Sequence, residues 1–328
     1  MTPSSLLFLT TLILGTLITL SSTNWMYLWM GMELNLLSFI PIIAASQSFQ
    51  ETEASVKYFI IQAVGSGIML TAGIMSMNPI INSKFSIIIN LLFIISMVMK
   101  LGMAPFHQWM PHVMSSVSWT NCIILSTWQK ISPLFMLMFI TPHKMSQPLL
   151  IMAALSAIVG GVGGLNQSQM RALLAYSSIG HMAWMTSTIT LMPSTTIIYL
   201  MIYMAITISL MMFFIFSHML QGRPNTSMMN MNKNSFMMMI IIMFSLGGLP
   251  PLLGFIPKWL VINSMMLNGQ YWIMVALITG SLISLFYYLN MMFNFMLTPP
   301  QISKHTKTPV VLTTLTILST LTSMLIII

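Results

Sequence analysis

Apolar stretches of roughly 20 residues follow one another from end to end of the chain, and that is about the length a helix needs to cross a bilayer core. Short polar joints separate them, such as Ser21-Ser22-Thr23-Asn24 and Thr141-Pro142-His143-Lys144. The pattern predicts helices over residues 5–21, 25–46, 54–77, 85–104 (continuing brokenly to 120) and 122–141. A second set follows over 149–165, 169–190, 195–219, 236–267 with a break, 271–296 and 310–328. The longest connection runs from Gln221 to Asn234, so no interval suits a soluble domain. The expectation is an all-α integral membrane protein of about 11 transmembrane helices.

Two of these helices carry breakers. The fourth reads Lys100-Leu101-Gly102-Met103-Ala104-Pro105-Phe106-His107, and the ninth contains Gly247, Gly248, Pro250, Pro251, Gly254 and Pro257, followed by Lys258. Proline and glycine leave backbone groups unpaired, which is tolerated inside a membrane only where protein or water satisfies them again. Interrupted helices at matching places in two halves are the mark of an inverted-repeat transporter. The expected organisation is a single membrane domain, with discontinuous helices 4 and 9. Residues 1–141 and 148–297 form two five-helix repeats of opposite orientation, and 308–328 an extra helix. Two unrelated proline kinks are the competing reading.

Composition supports the membrane reading. Hydrophobic residues make up 57% of the 328 and charged ones 4%, against about one quarter charged in soluble domains. The net charge of +8 comes from basic residues scattered singly, with no patch to hold nucleic acid. Lys57, Arg171, Arg223, Lys233, Lys304 and Lys307 fall on one side of the predicted topology, and Lys84 and Lys144 on the other. The positive-inside rule then puts the N-terminus on the inner side, the matrix for a mitochondrial product, and the C-terminus in the intermembrane space. The single cysteine, Cys122, excludes internal disulfides, thiolate-held iron–sulfur clusters and cysteine zinc sites. The 39 methionines and the lack of an Arg-rich presequence suit a chain made inside the organelle, under a genetic code that reads an extra codon as Met.

Four ionisable residues lie deep in apolar segments: Glu33, Lys100, Lys130 and Lys258. A charge at the bilayer centre costs at least about 2.5–3.5 kcal/mol on insertion scales, so each is a functional candidate. For Glu33 the alternative is a packing ion pair with a lysine; for Lys258 it is snorkelling from a helix end. Glu51 and Glu53 flank a helix start and are expected to be solvated. His181, inside the seventh helix, is the best candidate proton relay, with His107, His112 and His218 at breaks or helix ends as weaker ones. Haem wants histidine pairs on facing helices, and the spacings do not supply them. Gly160-Gly161-Val162-Gly163-Gly164 lacks the strand and Lys-Ser/Thr of a phosphate loop and is expected to pack helices closely. With no GxGxxG and no CxxC, neither a nucleotide cofactor nor an iron–sulfur cluster is expected on this chain, and no metal site either.

The segments Trp29–Asn35, Lys100–Pro111, Arg171–His181 and Gly247–Trp259 together resemble the antiporter-like membrane subunits of respiratory complex I. Their order and spacing, with a shortened N-terminus, are similar to the animal mitochondrial form, and the resemblance covers essentially the whole chain. It implies a place in the mitochondrial inner membrane beside other complex I membrane subunits and lipids, with no stable monomer. It also implies proton translocation by Glu33, Lys100, Lys130 and Lys258, coupled to electron transfer from NADH to ubiquinone. NADH, FMN, the iron–sulfur clusters and ubiquinone would belong to other subunits. A stand-alone cation/proton antiporter subunit of the same fold is the alternative.

Overall fold

The computed structural model describes residues 3–45, 48–140, 146–221, 233–250 and 252–297, and all its regular structure is helical. The predicted helix at 310–328 lies outside the described residues, as does Pro251. The first half comprises α1 (Pro3–Ser21), α2 (Trp25–Ala44), α3 (Phe49–Met77), α4 (Pro79–Leu101), α5 (Trp109–Ser116), α6 (Trp119–Ser126) and α7 (Trp128–Ile140). The second comprises α8 (Ser146–Leu165), α9 (Met170–Thr188), α10 (Pro193–Gln221), α11 (Lys233–Gly247), α12 (Phe255–Leu267) and α13 (Tyr271–Leu297). Among the described residues, eight spans are long and apolar enough to cross a membrane, one of them running through α6 and α7 together.

Local chemistry explains where these helices start and stop. Asn24 accepts the Met26 amide at the start of α2, and Ser48 accepts the Glu51 amide at the start of α3, the usual side-chain caps for exposed N–H groups. Leu6, Leu7, Leu14 and Leu17 of α1 are all exposed; on a helix that must cross a membrane this is the lipid face. The opposite face meets α2, where Gly15 and Gly31 lie so close that a Cβ on either would touch the other's carbonyl oxygen.

Both predicted breaks are present. α4 ends at Gly102 (φ +71°), where the Gly102 amide bonds the Met99 carbonyl and the Met103 amide bonds the Val98 carbonyl. α11 ends at Gly248 (φ +77°), where the Gly248 amide bonds the Ser245 carbonyl and the Leu249 amide the Phe244 carbonyl. The two ends are the same Schellman closure, in which a left-handed residue turns the last N–H groups back onto the helix. Glycine adopts that conformation without a Cβ penalty.

Three expectations need correction. The fifth helix is not continuous over 122–141: it stops at Thr127 (φ −114°, ψ −69°) and restarts at Trp128. The Thr127 amide and hydroxyl both bond the Ile123 carbonyl; past it the ladder changes step, with the Lys130 amide bonding the Thr127 carbonyl three residues back, and Pro133 has no N–H to donate to Gln129. The third helix begins at Phe49 rather than 54. Glu51 is not solvated: it is 7% exposed and accepts the Ser118 amide at 3.0 Å, whereas Glu53 is exposed and pairs with Lys57 at 2.6 Å.

The halves interlock. α5 of the first half packs against α9 of the second, and α6 against α10. Buried clusters run through both halves, one joining Met97 and Leu101 to Trp184 and Tyr203, the other joining Tyr58 and Trp109 to Leu174 and Phe214. α9 sits at the centre, with fourteen of its nineteen residues buried. It is not among the eight apolar spans, because its Ser177, Ser178, His181, Thr186, Ser187 and Thr188 meet protein instead of lipid.

Candidate functional site

The three buried lysines all lie inside the protein, at 7% (Lys100), 2% (Lys130) and 7% (Lys258) exposure, and none faces lipid. Lys100 occupies the last turn of α4, against Gly65 of α3, with its Nζ 3.8 Å from the Met32 sulfur. Lys130 stands in the first turn of α7, just past the Thr127 break; its Nζ donates to the Tyr203 hydroxyl at 3.4 Å and lies 5.2 Å from the centre of that ring. Lys258 follows the second break in the first turn of α12, with its Nζ donating to the Gly247 carbonyl at 2.7 Å and 5.9 Å from the Trp184 ring centre.

A cavity of about 20 Å³ lies between the first two lysines, lined by Lys100, Lys130, Asn35, Gln62, Gln129 and Tyr58 among others. That volume admits about one water, and these polar groups suit one. They are ordered among themselves: Gln129 donates to Asn35 at 2.8 Å, Tyr58 donates to Gln129 at 3.3 Å, and Gln62 donates to the Lys100 carbonyl at 3.2 Å. Ser132, on the same wall, accepts from Thr19 of α1 at 3.1 Å.

Past Lys130 the polar groups continue through α10 into α9. Tyr203 has its ring centre 5.1 Å from that of His181, whose Nδ1 lies 3.0 Å from the Tyr199 hydroxyl. A second cavity of about 20 Å³ joins His181 to Lys258, walled by Ser177, Ser284 and Tyr287 and floored by glycines 160, 161, 180 and 280. His181 is in electrostatic reach of both Lys130 and Lys258. One line of titratable and hydroxyl groups, interrupted by two water-sized spaces, thus runs Lys100, Lys130, Tyr203, His181, Lys258.

The other candidates fall elsewhere. Glu33 is half-buried on α2, within electrostatic reach of Lys100 though no ion pair joins it to a lysine among the described residues; its Oε2 is closed off from solvent and makes no hydrogen bond. His107 is half-buried beside the cis Ala104–Pro105 bond, its Nδ1 3.3 Å from the Pro105 carbonyl. His112 is exposed, and neither histidine lines a cavity between the lysines. The side chain of His218 lies outside the described residues. Tyr203 and Tyr199 were not singled out from the sequence. Their signal was a polar stripe on an otherwise apolar helix, Thr196, Tyr199, Tyr203 and Thr207, at steps of three and four residues and all buried.

The glycine run packs helices, as its spacing predicts. A Cβ on Gly160 would meet the Gly180 amide at 2.7 Å and the Tyr176 carbonyl at 2.9 Å; one on Gly161 would meet the Gly280 carbonyl at 2.9 Å. α8 can therefore touch α9 and α13 backbone to backbone.

A family model described as NADH:quinone oxidoreductase/Mrp antiporter, TM, matches residues 22–284. The chain belongs to that family. Among curated relatives, NADH-ubiquinone oxidoreductase chain 2 of Lumbricus terrestris is 42% identical over 304 residues, covering 92% of this chain and 89% of that one. The protein of the same name from Oryctolagus cuniculus is 40% identical over 296 residues, covering 88% and 84%. Among solved structures, a chain of respiratory complex I from Thermus thermophilus with bound aureothin superposes with a TM-score of 0.80 at 20% identity, over 98% of this chain and 78% of that one. The antiporter family thus supplies the fold seen here, and its matched segment includes Glu33 and all three buried lysines.

Proposed function

We propose that this chain is a core membrane subunit of the mitochondrial proton-pumping NADH:ubiquinone reductase, passing protons along the line Lys100, Lys130, Tyr203, His181 and Lys258. Its relatives at about 40% identity carry the name NADH-ubiquinone oxidoreductase chain 2. Electron transfer from NADH to ubiquinone belongs to other subunits, and the described residues hold no cluster of metal-ligand type. The observation that carries the reading is the first cavity: two buried ammonium groups on its wall, five polar side chains around them, and room for about one water.

Chemically, each lysine can hold or release one proton, while Tyr203 and the tyrosine-bonded His181 can carry it between them. Moving a carboxylate toward or away from a buried ammonium changes the work of taking its proton, and the unpaired Glu33 is the group available for that near Lys100. The Schellman breaks beside Lys100 and Lys258 provide backbone that can hydrate and shift. The halves 1–141 and 148–297 act as inverted repeats, with the N-terminus in the matrix and the C-terminus in the intermembrane space. The matched breaks and the six-to-two bias of basic residues support that arrangement.

Lys130→Met, in the assembled complex, is the test. It keeps most of the side-chain volume and removes the charge. Proton translocation and ubiquinone-linked turnover should fall at least severalfold, while NADH oxidation by artificial acceptors is unchanged. A normal proton-to-electron ratio in that variant would overturn the path.

A further inference from the structure

α5 and α6 are joined by two extended residues, Val117 (φ −87°, ψ 152°) and Ser118 (φ −61°, ψ 156°). Two charged side chains that the proton path does not use converge on this joint from opposite halves of the molecule. Glu51, in the first turn of α3, accepts the Ser118 N–H through Oε1 at 3.0 Å. Arg171, in the first turn of α9, donates to the Val117 carbonyl. The two side chains are in electrostatic reach of each other.

We propose that Glu51 and Arg171 are positioning residues that clamp the α5–α6 joint, gripping the single peptide group between Val117 and Ser118 by its N–H and by its C=O, and so fix where α7 holds Lys130. The carboxylate stands at the N-terminal end of α6 and the guanidinium at the C-terminal end of α5, each where the helix dipole favours its sign. Ser118 makes no side-chain cap hydrogen bond, and Glu51 satisfies the N–H of the N-cap residue itself, the part a glutamate plays in a capping box, here from a distant helix. The grip continues outward. The Arg171 guanidinium lies 5.9 Å from the Trp119 ring centre, and Trp119 stacks on Phe214 of α10 at 4.7 Å and 20°.

The consequence for the path is geometric. α6 is eight residues long and leads through the Thr127 break into α7, so its angle decides where Lys130 lies relative to Lys100 and Tyr203. α9, which supplies Arg171, also supplies His181. A displacement of the joint would change both the Lys100–Lys130 cavity and the Lys130–Tyr203 contact. The inference rests on the proton-path reading for its effect on pumping, but the clamp has its own readout.

The experiment uses the assembled complex, with native gels to confirm assembly, and compares Glu51→Met, Glu51→Gln, Arg171→Met, Arg171→Lys, the double variant Glu51→Arg/Arg171→Glu, and Glu53→Gln as an exposed control. Hydrogen exchange at the peptide containing Ser118 should rise about tenfold or more in Glu51→Met, as expected for losing a hydrogen bond to a charged acceptor. Glu51→Gln and Arg171→Lys, which keep an acceptor and a donor, should exchange at intermediate rates and pump better than the Met variants. They also carry the test if the Met variants fail to assemble. The double variant should not recover, because it sets a donor against the Ser118 N–H and an acceptor against the Val117 carbonyl. Unchanged exchange at Ser118 in Glu51→Met or Glu51→Gln, or restored pumping in the double variant, would overturn the clamp. If Lys130→Met pumps normally while Ser118 exchange rises in the Glu51 variants, the path fails and the clamp stands.

Discussion

Lys258 rests its stem on Gly248 and donates its Nζ to the carbonyl of Gly247, so the lysine of α12 closes the C-terminal end of α11 across the second break. Lys100 has no such partner: its break lies after it in the chain, and its Nζ meets the soft sulfur of Met32. The two broken helices share a closure but use their lysines differently, one as a helix cap and one as a cavity wall.

Gly248→Ala should therefore harm the site twice. The position has φ +77°, and a Cβ there would meet the Lys258 Nζ at 2.7 Å. The left-handed backbone alone costs about 1–2 kcal/mol for a residue with a Cβ. We expect lowered thermal stability of the assembled complex and lowered proton pumping. Gly102→Ala, with φ +71° and its nearest atom on Trp109 at 3.1 Å, should lower stability with less effect on Lys258-dependent steps. Thermal inactivation and pumping assays on both variants separate the two effects.

Tyr203→Phe removes the hydroxyl that accepts from Lys130 and keeps the ring beside His181. The lost hydrogen bond is worth about 1–2 kcal/mol, given its length of 3.4 Å. Proton translocation should drop by about tenfold, on the usual conversion of that energy to a rate, with assembly intact. Pumping at the normal rate in Tyr203→Phe would mean that protons reach His181 by another route.

Gln129→Leu strips the first cavity of the side chain that ties Asn35 to Tyr58. An Asn amide left unpaired in a buried site costs about 1–3 kcal/mol, and the loss of a polar wall disfavours water between the lysines. Ubiquinone-linked turnover should slow while NADH oxidation by artificial acceptors stays normal. Equal turnover in wild type and variant would show that this cavity need not hold water.

The helix-packing glycines give a paired comparison. Gly160→Ala would press a methyl into the backbone of α9, whereas a Cβ on Gly180 meets nothing within 4 Å. Overpacking of this kind costs about 1–3 kcal/mol. Gly160→Ala should reduce the amount of assembled complex on native gels, and Gly180→Ala should leave it near normal.

How legible all this was in the sequence depended on the range of the interactions involved. The apolar runs and the Gly102 and Gly248 breaks were visible because length and glycine act locally. The Thr127 break was not: no Gly or Pro stands there, and the proline that denies the next turn its donor lies six residues on. Glu51 looked like a solvated acid because its neighbours in the chain are polar, while its partners stand 67 and 120 positions away, at Ser118 and Arg171. Lys100, Lys130 and Lys258 could be named from the cost of burying charge, but the order in which they connect required Tyr203, whose stripe becomes visible only when α10 is read for its few polar residues.

The polarity of α9 bears on how the protein is made. A helix carrying an arginine, a histidine and five buried serines and threonines gains little from lipid. On its own it would be a poor candidate for handover from the insertion machinery to the bilayer. Its neighbours α8 and α10 are among the most apolar spans of the chain, and α8 offers it a glycine-lined bed. Biogenesis then has an order built in: α8 enters first and waits, α9 remains shielded against it, and the arrival of α10, then of α12 and α13, completes the protein solvent of the central helix.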